Sequence, residues 1–261
     1  MKTFHAISPA KINLGLHILG RWPDGYHILE TLLIPYPDLY DDLEVRLLPR
    51  YDRIELHITG IEIPDADENY LETTYWLLRE KLGEPLPALS VRLHKRIPVS
   101  AGLGGGSSNS GTFLRLLQAI IEPPPPIELL HAVGAEVGSD VPFFLYEGPM
   151  LARGTGTQMI PFSIDLSEFE IVTITPPVPC STKHIYRGLR PSQWSRTSIE
   201  PILRQGIETW QTQLHNDLES VSFQLYPTLI TYKKALYEAG AVYASMNGSG
   251  SSLYGLFRRG S

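Results

Sequence analysis

Residues 98–112 of the chain read PVSAGLGGGSSNSGT. Four of the five positions from 102 to 106 are glycine, so the backbone there can take positive φ angles and approach a ligand closely. A helix is predicted to follow, because apolar residues recur at helical spacing across residues 113–121, and its expected caps are Ser107, Ser108 or Asn109. A glycine turn that enters a helix directs several backbone N–H groups and the positive end of the helix dipole to one point. The stretch therefore predicts a phosphate-binding loop.

Three common glycine loops do not fit this spelling. A Walker A loop requires a Gly-Lys dipeptide, which occurs nowhere in the chain. The dinucleotide fingerprint fails because its sixth position is Ser107 when it starts at Gly102, and Asn109 when it starts at Gly104. A protein-kinase glycine loop fails on the same spacing, and the sequence contains no His-Arg-Asp or Asp-Phe-Gly motif. The stretch is therefore predicted to be an anion-binding loop of another kind. A second Gly/Ser turn at residues 247–252 supports this prediction.

Length and composition bound the class of protein. The chain of 261 residues is long enough for two domains, and the pattern changes near residue 160. The formal net charge of −6 argues against sequence-independent nucleic-acid binding. The single cysteine, Cys180, excludes an intrachain disulfide and fits a reducing compartment. No apolar run approaches the ~18 residues of a membrane span, and residues 1–9 lack the apolar core of a secretory signal. We therefore expect a soluble cytoplasmic protein without a nucleic-acid or membrane partner.

Hydrophobic periodicity predicts both strands and helices. The first predicted strand covers residues 6–19, with an interruption expected at Ser8-Pro9. The other predicted strands cover residues 28–34, 43–48, 54–58, 90–93, 171–175, 241–246 and 252–257, with a hairpin over residues 148–160. Helices are predicted over residues 69–82, 113–121, 127–133, 199–210 and 214–236. Pro123–Pro126 are expected to form an extended connector.

Phosphoryl transfer to an alcohol needs a phosphate cradle, positive charge near the transferred group, and a base that takes the hydroxyl proton. Lys11 and Asp140 are candidates for the last two roles. Each stands close to a turn-forming residue and leads into an apolar segment that would hold it rigidly. In this arrangement Asp140 accepts a hydrogen bond from the substrate hydroxyl, and Lys11 stabilises the developing alkoxide.

Several ordered segments resemble a known family. Residues 9–14 (PAKINL), the loop at 98–109, and residues 248–251 (GSGS) resemble the three motifs of the GHMP small-molecule kinases. Further segments are similar to those of one member of the family, and they read DGYH at 24–27, GSDVPF at 138–143, ARG at 152–154 and NDLE at 216–219. The resemblance spans nearly the whole chain.

The resemblance implies a fold and an activity. The fold is α+β with two domains: an N-terminal ribosomal-protein-S5-like domain over residues 1–160 for ATP binding and catalysis, and a C-terminal ferredoxin-like α/β-plait domain over residues 161–261. The implied activity is ATP-dependent phosphorylation of the 2-hydroxyl of a cytidine-diphosphate-linked methylerythritol, in the non-mevalonate (MEP) route to isoprenoid precursors, by a monomer or homodimer. The alternatives are another GHMP kinase acting on homoserine, mevalonate or a sugar, and a nucleotide-binding sensor without catalysis.

The same resemblance implies the site residues, motif by motif. Asp140 is the implied general base and Lys11 its electrostatic partner. The implied ATP-binding residues are Pro98, Ala101, Gly102, Leu103, Gly104, Gly105, Gly106, Ser107 and Ser108, with Asn69 and Lys95 near the adenine or ribose. The implied substrate residues are Asn13 at the erythritol, Tyr26 and His27 at the cytosine, Thr182, and Tyr186 on the opposite face of the base. The family also uses magnesium, for which the sequence identifies no ligand set and only Ser108 as a candidate.

Two residues depart from the usual loop of the family. Ser100 stands where the family has glycine or alanine, and Gly111 stands where it has alanine. Because a glycine within a helix costs up to ~1 kcal/mol relative to alanine, we expect a looser helix start. The backbone cradle itself is expected to be retained.

Overall fold

The computed structural model describes residues 2–63 and 69–260. The chain forms two compact units, each assembled from separate stretches of sequence. Unit 1 contains Met1–Lys11, Pro35–Val99 and Gly104–Glu147, and unit 2 contains Ile12–Ile34, Ser100–Leu103 and Gly148–Ser261. The units therefore do not follow the predicted division at residue 160, because residues 12–34 and 100–103 pack with the C-terminal part of the chain. The domains 1–160 and 161–261 remain a prediction.

The first strand, β1 (Thr3–Arg21), contributes residues to both units. The interruption expected at Ser8-Pro9 was wrong, since the strand continues through both residues. Proline is tolerated in a strand that has an unpaired edge, and β1 pairs with β2 alone among the strands described. The alternating polar residues of β1 are buried as well as the apolar ones, and Lys11, Asn13 and His17 are each less than 5% exposed.

The second strand, β2 (His27–Tyr51), also contributes residues to both units. The separate strands predicted at residues 28–34 and 43–48 are parts of this one strand. Pro35 and Pro37 lie between them and favour extended backbone, so the chain does not turn there.

Unit 1 is a sheet with helices packed against it. Its further elements are β3 (Ile54–Gly60), α1 (Tyr70–Leu82), β4 (Pro87–Lys95), α2 (Gly105–Ile120), α3 (Ile127–Val137) and a 3-10 helix over Val141–Leu145. The later part of β2 pairs antiparallel with β4, which pairs parallel with β3. Tyr75 of α1, Phe113 of α2 and Val91 of β4 belong to its buried core. The predicted end of α1 is confirmed, because Gly83 caps it in the left-handed conformation.

Unit 2 contains a hairpin, a second sheet and several short helices. Its elements are β5 (Met150–Gly154), β6 (Gln158–Pro161), β7 (Phe169–Ile174), α4 (Thr182–Gly188), α5 (Glu200–Gln205), α6 (Trp210–Gln213), α7 (Glu219–Leu225), α8 (Thr228–Glu238), β8 (Tyr243–Met246) and β9 (Leu253–Arg258). Short 3-10 helices cover Pro191–Gln193 and Ile207–Thr209. The early part of β2 pairs with β5, and the predicted hairpin β5–β6 is confirmed. The second sheet is antiparallel in the order β7-β9-β8.

The two long helices predicted in the C-terminal part were wrong in extent. The first is divided at Gly206, which has a φ of 93° that does not continue a helix. The second is divided before α8 at Pro227, which lacks the N–H that a helix interior needs. Helix α4 was not predicted. No helix within residues 2–63 and 69–260 combines the length and apolar character needed to cross a membrane.

Candidate active site

Lys11 and Asp140 form an ion pair in unit 1. The Nζ atom of Lys11 lies 3.2 Å from Oδ2 of Asp140. The lysine side chain is 3% exposed and the aspartate 32% exposed, so a buried ammonium faces a carboxylate that a ligand can reach. Asp140 directly precedes the 3-10 helix Val141–Leu145, whose residues are all buried, and this packing fixes the backbone that carries the carboxylate.

The glycine loop leads directly into α2. Gly104, with a φ of 73°, precedes the helix, and no side chain caps it. The expected caps Ser107, Ser108 and Asn109 were therefore wrong, since the helix begins before them. Gly104 is required where it stands, because a Cβ atom there would lie 2.9 Å from Cγ of Lys11. The first helical N–H groups, which have no intrahelical acceptors, thus belong to residues without bulky side chains.

The part of the loop that belongs to unit 2 contacts the second Gly/Ser turn. Ser252 N–H donates to Ala101 O at 3.1 Å, and Asn247 Nδ2 donates to Gly102 O at 3.0 Å. Ser100 has a φ of 54°. This is the left-handed region, which residues with a Cβ rarely adopt, so serine carries strain there.

Asn13 also contacts this turn. Its N–H donates to Oδ1 of Asn247 at 2.7 Å, and its Nδ2 donates to Thr31 at 3.1 Å. Asn216 Nδ2 donates to the carbonyls of Met246 and Gly248, each at 2.8 Å. The first residue of the NDLE segment thus secures the Gly/Ser turn.

Lys95 belongs to a buried polar network in unit 1. Its Nζ donates to Oδ2 of Asp41 at 2.5 Å and to Oδ1 of Asn109 at 3.1 Å. Asp41 is fully buried and also accepts the N–H groups of Arg96 and Ile97. A Cβ at Gly105 would lie 3.0 Å from the lysine Nζ, so the network lies directly beneath the start of α2. A contact between Lys95 and the adenine or ribose remains a prediction.

Asn69 caps α1, and its Oδ1 accepts the N–H of Leu71 at 2.9 Å. The ring of the next residue, Tyr70, lies 3.2 Å from the position that a Cβ at Gly106 would take. Tyr70 therefore borders the glycine loop, although the sequence analysis did not select it. The role of Asn69 in ATP binding remains a prediction.

His27 and Tyr186, both implied at the cytosine, lie together in unit 2. Their ring centroids are 5.4 Å apart, with an interplanar angle of 45°. Burial lowers the pKa of His27 below its ordinary 6.5, and the positive charge of Arg21 lowers it further. Tyr26 is 64% exposed in the preceding turn, and Thr182 Oγ1 lies 2.7 Å from Ser249 Oγ in the Gly/Ser turn. The substrate residues are thus divided between an aromatic cluster and the Gly/Ser turn.

Two family models match the chain: "GHMP kinases N terminal domain" over residues 69–148 and "GHMP kinases C terminal" over residues 198–261. A protein from Azobacteroides pseudotrichonymphae named 4-diphosphocytidyl-2-C-methyl-D-erythritol kinase is 38% identical over 97% of this chain and 93% of its own length. A protein of the same name from Bacteroides thetaiotaomicron is 39% identical over 95% of this chain and 90% of its own length. The chain belongs to the GHMP kinase family. It is accordingly an ATP-dependent small-molecule kinase with the two-domain α+β fold that the resemblance implied.

Solved structures agree with this family. A crystal structure of 4-(cytidine 5'-diphospho)-2C-methyl-D-erythritol kinase matches this GHMP kinase with a TM-score of 0.81 and 33% identity, covering 97% of this chain and 90% of the other. A homoserine kinase from Cytophaga hutchinsonii matches with a TM-score of 0.74 at 19% identity, covering 99% of this chain and 86% of the other. The second likeness shows the shared fold alone.

The residues of this GHMP kinase fit a magnesium ion bound with the nucleotide. Ser108 Oγ is fully buried, and no hydrogen-bond partner for it occurs among the residues described. Magnesium needs only one or two protein oxygens when phosphates and waters complete its coordination. Within residues 2–63 and 69–260, no three His, Cys, Asp or Glu side chains form a metal site. A magnesium ion coordinated mainly by ATP, with the Ser108 hydroxyl as its protein ligand, fits both the unpartnered Ser108 Oγ and the lack of a metal-binding cluster among the residues described.

Besides Tyr70, Asp41 and Trp194 are site-related residues that no sequence motif identified. Asp41 stands in an ordinary acidic pair on β2, and only its burial with Lys95 marks it. Trp194 lies 5.8 Å from His27, ring centroid to ring centroid, but no motif contains it. No local sequence signal could have identified either residue, because both contacts join distant parts of the chain.

Proposed function

We propose that this kinase transfers the γ-phosphoryl group of ATP to the 2-hydroxyl of 4-diphosphocytidyl-2-C-methyl-D-erythritol, giving the 2-phosphate and ADP in the non-mevalonate route to isoprenoid precursors. The observation that carries the chemistry is the ion pair between buried Lys11 and partly exposed Asp140. The names of relatives that are 38–39% identical over nearly the whole chain support the substrate. The aromatic contact between His27 and Tyr186 supports a nucleobase-bearing alcohol.

Asp140 acts as the general base in this proposal. The hydroxyl oxygen of the substrate attacks the γ-phosphorus, the bond from that phosphorus to the β–γ bridging oxygen breaks, and ADP leaves. The hydroxyl proton passes to a carboxylate oxygen of Asp140. Lys11 keeps its ammonium next to this carboxylate and stabilises the negative charge that develops on the attacking oxygen.

The glycine loop binds the ATP phosphates in this proposal. The residues assigned to it are Pro98, Ala101, Gly102, Leu103, Gly104, Gly105, Gly106, Ser107 and Ser108, and those assigned near the adenine or ribose are Asn69 and Lys95. Backbone N–H groups at the start of α2 and the positive end of its dipole attract the phosphates. Magnesium, when bound, neutralises part of the phosphate charge, and Ser108 is its proposed protein ligand.

His27, Tyr26 and Tyr186 recognise the cytosine in this proposal, by hydrogen bonding and by stacking. A neutral imidazole has one donor and one acceptor, which suits a base edge that also presents both. The lowered pKa of His27 favours this neutral form near neutral pH. Asn13 and Thr182 are assigned to the remainder of the substrate.

A coupled assay of ADP release tests the substrate directly. The purified kinase is supplied with ATP, magnesium and, in separate reactions, the cytidyl compound, homoserine, mevalonate and a sugar. We expect turnover of the cytidyl compound, with a product whose phosphorus NMR spectrum shows one new phosphomonoester. Preferred turnover of another alcohol would replace the proposed substrate. If none of the four compounds leads to ADP release, the proposed function is contradicted.

A further inference from the structure

Trp194 is a second aromatic neighbour of His27, in addition to Tyr186. The ring centroids of these two residues are 5.8 Å apart and the rings are nearly perpendicular, at 86°. Tyr186 of α4 contacts the same imidazole with its centroid at 5.4 Å. An edge-to-face contact of this kind prefers one ring orientation. His27 therefore has two aromatic neighbours that together restrict the rotation of its imidazole.

The segment that carries Trp194 is attached to β1 through Asp217. The carboxylate of Asp217 accepts the N–H of Ser195 at 2.8 Å, the hydroxyl of Ser195 at 2.6 Å and the N–H of Ile18 at 2.8 Å. Arg196 N–H donates to Ile18 O at 3.1 Å, so the next residue is attached to the same strand. Asp217 is only 7% exposed, and its three hydrogen bonds fix the position of the backbone beside Trp194.

The attachment continues beyond Trp194 and its neighbours. His17 Nδ1 donates to Thr197 O at 2.8 Å. The buried carboxylate of Glu30 accepts the Ser198 hydroxyl and the Ile199 N–H, each at 2.6 Å. Residues 195–199 are thus bonded at successive positions to residues of β1, β2 and the NDLE segment. This anchoring is more extensive than a surface connection requires.

The indole N–H of Trp194 lacks a partner in the part of the chain that the structure describes. Its Nε1 atom is buried, and no hydrogen-bond acceptor contacts it. A buried donor without an acceptor is unfavourable for stability. The indole is therefore not held by its own hydrogen bonding: it packs against the hydrophobic core of unit 2, and its ring contacts His27.

We infer that Trp194 is a positioning residue for base recognition: together with Tyr186 it sets the plane of the His27 imidazole, and Asp217 holds Trp194 in place through Ser195. This inference rests on the proposed function, because it takes His27 to bind the cytosine. Turning an imidazole by half a turn about its Cβ–Cγ bond puts a ring carbon where each nitrogen stood, so a hydrogen bond from that nitrogen to the base is lost. A fixed ring keeps its nitrogen opposite the base edge, where cytosine and uracil differ because a donor on one replaces an acceptor on the other. A freely turning ring weakens this hydrogen bond and, with it, the preference between the two bases.

The kinetic test compares the cytidine substrate with its uridine analogue at saturating ATP. Trp194→Ala should raise KM for the cytidine substrate about five- to tenfold, in line with the loss of one aromatic contact, and should leave kcat within about twofold. Its preference for cytidine over uridine should fall by a similar factor. Trp194→Phe retains an aromatic ring and should restore most of both. Ser195→Ala removes only one of the three hydrogen bonds to Asp217 and should show a smaller effect in the same direction.

Trp76→Ala is the matched control. Trp76 is a tryptophan of α1 in unit 1 that is 45% exposed, and its removal should leave KM, kcat and base preference unchanged. Thermal unfolding of every variant checks that it is folded. Unchanged KM and unchanged base preference in folded Trp194→Ala would overturn the inference.

Proton NMR of the His27 imidazole gives a readout that does not depend on turnover. Removing the indole exposes the imidazole, so the titration midpoint of His27 should rise toward its ordinary 6.5 in Trp194→Ala. If the wild-type kinase fails to use the cytidine substrate, the proposed function fails, and the NMR titration still decides whether Trp194 packs against the His27 imidazole, which the inference requires. An unchanged His27 titration would overturn the inference even with the proposed function intact.

Discussion

The side chain of Asp140 is about ten times more exposed than the Lys11 side chain that it contacts, at 32% against 3%. Asp140 is therefore the member of the pair that a substrate hydroxyl can reach, while the buried ammonium of Lys11 acts on it electrostatically. Replacing Asp140 by asparagine keeps the shape of the side chain and removes the basic oxygen. We expect Asp140→Asn to lower kcat by about 10²- to 10⁴-fold, the usual contribution of a general base. The dissociation constant of ATP, measured by calorimetry, should change little.

A control for Asp140→Asn is available in unit 2. Asp165 is exposed, and its carboxylate accepts hydrogen bonds from the N–H and the hydroxyl of Ser167, which the Oδ1 of asparagine can also accept. Asp165→Asn should leave kcat and ATP affinity unchanged. A folded Asp140→Asn enzyme with near-normal turnover would remove Asp140 from the role of base.

At the scale of the element, the contact between the glycine loop and the Gly/Ser turn depends on Gly102. It has a φ of 79°, and a Cβ there would collide with the carbonyl oxygen of Asn247. Gly102→Ala should therefore destabilise the protein by about 2 kcal/mol or more, from left-handed strain and the backbone collision together, as measured by the urea midpoint. ATP should bind more weakly, because the loop is displaced.

Gly83 provides the matched comparison for Gly102. It also has a positive φ, of 71°, but nothing lies within 4 Å of the position that its Cβ would take. Gly83→Ala should cost only the conformational strain, about 1 kcal/mol, and should leave ATP affinity unchanged. If Gly83→Ala and Gly102→Ala change stability and ATP affinity equally, the close contact between Gly102 and the Asn247 carbonyl has no specific role.

Gly111 does not lie at the start of α2, and the looser helix start expected from it stays a prediction. The helix begins at Gly105, and a Cβ at Gly111 would lie 2.5 Å from Cβ of Phe144 and 3.0 Å from the carbonyl oxygen of Val141. Both contacts belong to the 3-10 helix that follows Asp140. Gly111 thus allows α2 to lie close to the 3-10 helix that positions the Asp140 carboxylate. Helix propensity does not take this close packing into account.

Gly111→Ala should displace that 3-10 helix. Overpacking of this kind costs about 1–3 kcal/mol, which exceeds the ~1 kcal/mol that alanine contributes in a helix. We expect a lower urea midpoint and a kcat reduced about tenfold or more, because catalysis is sensitive to shifts of about 1 Å. Gly134→Ala should have a smaller effect, since its Cβ would meet the Val141 side chain at 3.0 Å and the backbone N of Pro142 only at 3.6 Å. A raised midpoint with normal kcat in Gly111→Ala would show that the contact is unimportant.

At the scale of the whole molecule, periodicity predicted most elements but not how the chain is divided between the units. Alternation identified β1, but it did not show that the polar residues Lys11 and Asn13 are buried. The ends of helices followed local signals such as Gly83 and Pro227. Pairings between distant residues, such as Asp41 with Lys95, leave no periodic trace, so spacing could not predict them. The motifs supplied Lys11 and Asp140 because the chemistry restricts which residue types can serve there.

The stability of the whole molecule should depend on the buried His17. Its side chain is 1% exposed, Nδ1 donates to Thr197 O, and Nε2 accepts the N–H of His215 at 3.4 Å. Burial is the main cause that lowers its pKa below the ordinary 6.5, although the bond to Thr197 opposes the shift. The unfolded chain therefore binds the proton more readily than the folded protein. The contribution of neutral His17 is complete above about pH 6.5 and is lost as the pH falls through the lowered pKa of the folded state.

Urea unfolding between about pH 8 and pH 5 tests this dependence. The midpoint of the wild type should fall with decreasing pH, because protonation places a second N–H of His17 opposite the N–H of His215. His17→Asn carries no titrating group, so its midpoint should be lower at pH 8 but should fall less on acidification. His57→Asn, which replaces an exposed histidine of β3, should show the wild-type fall. An equal fall in His17→Asn and the wild type would assign the acid sensitivity to other groups.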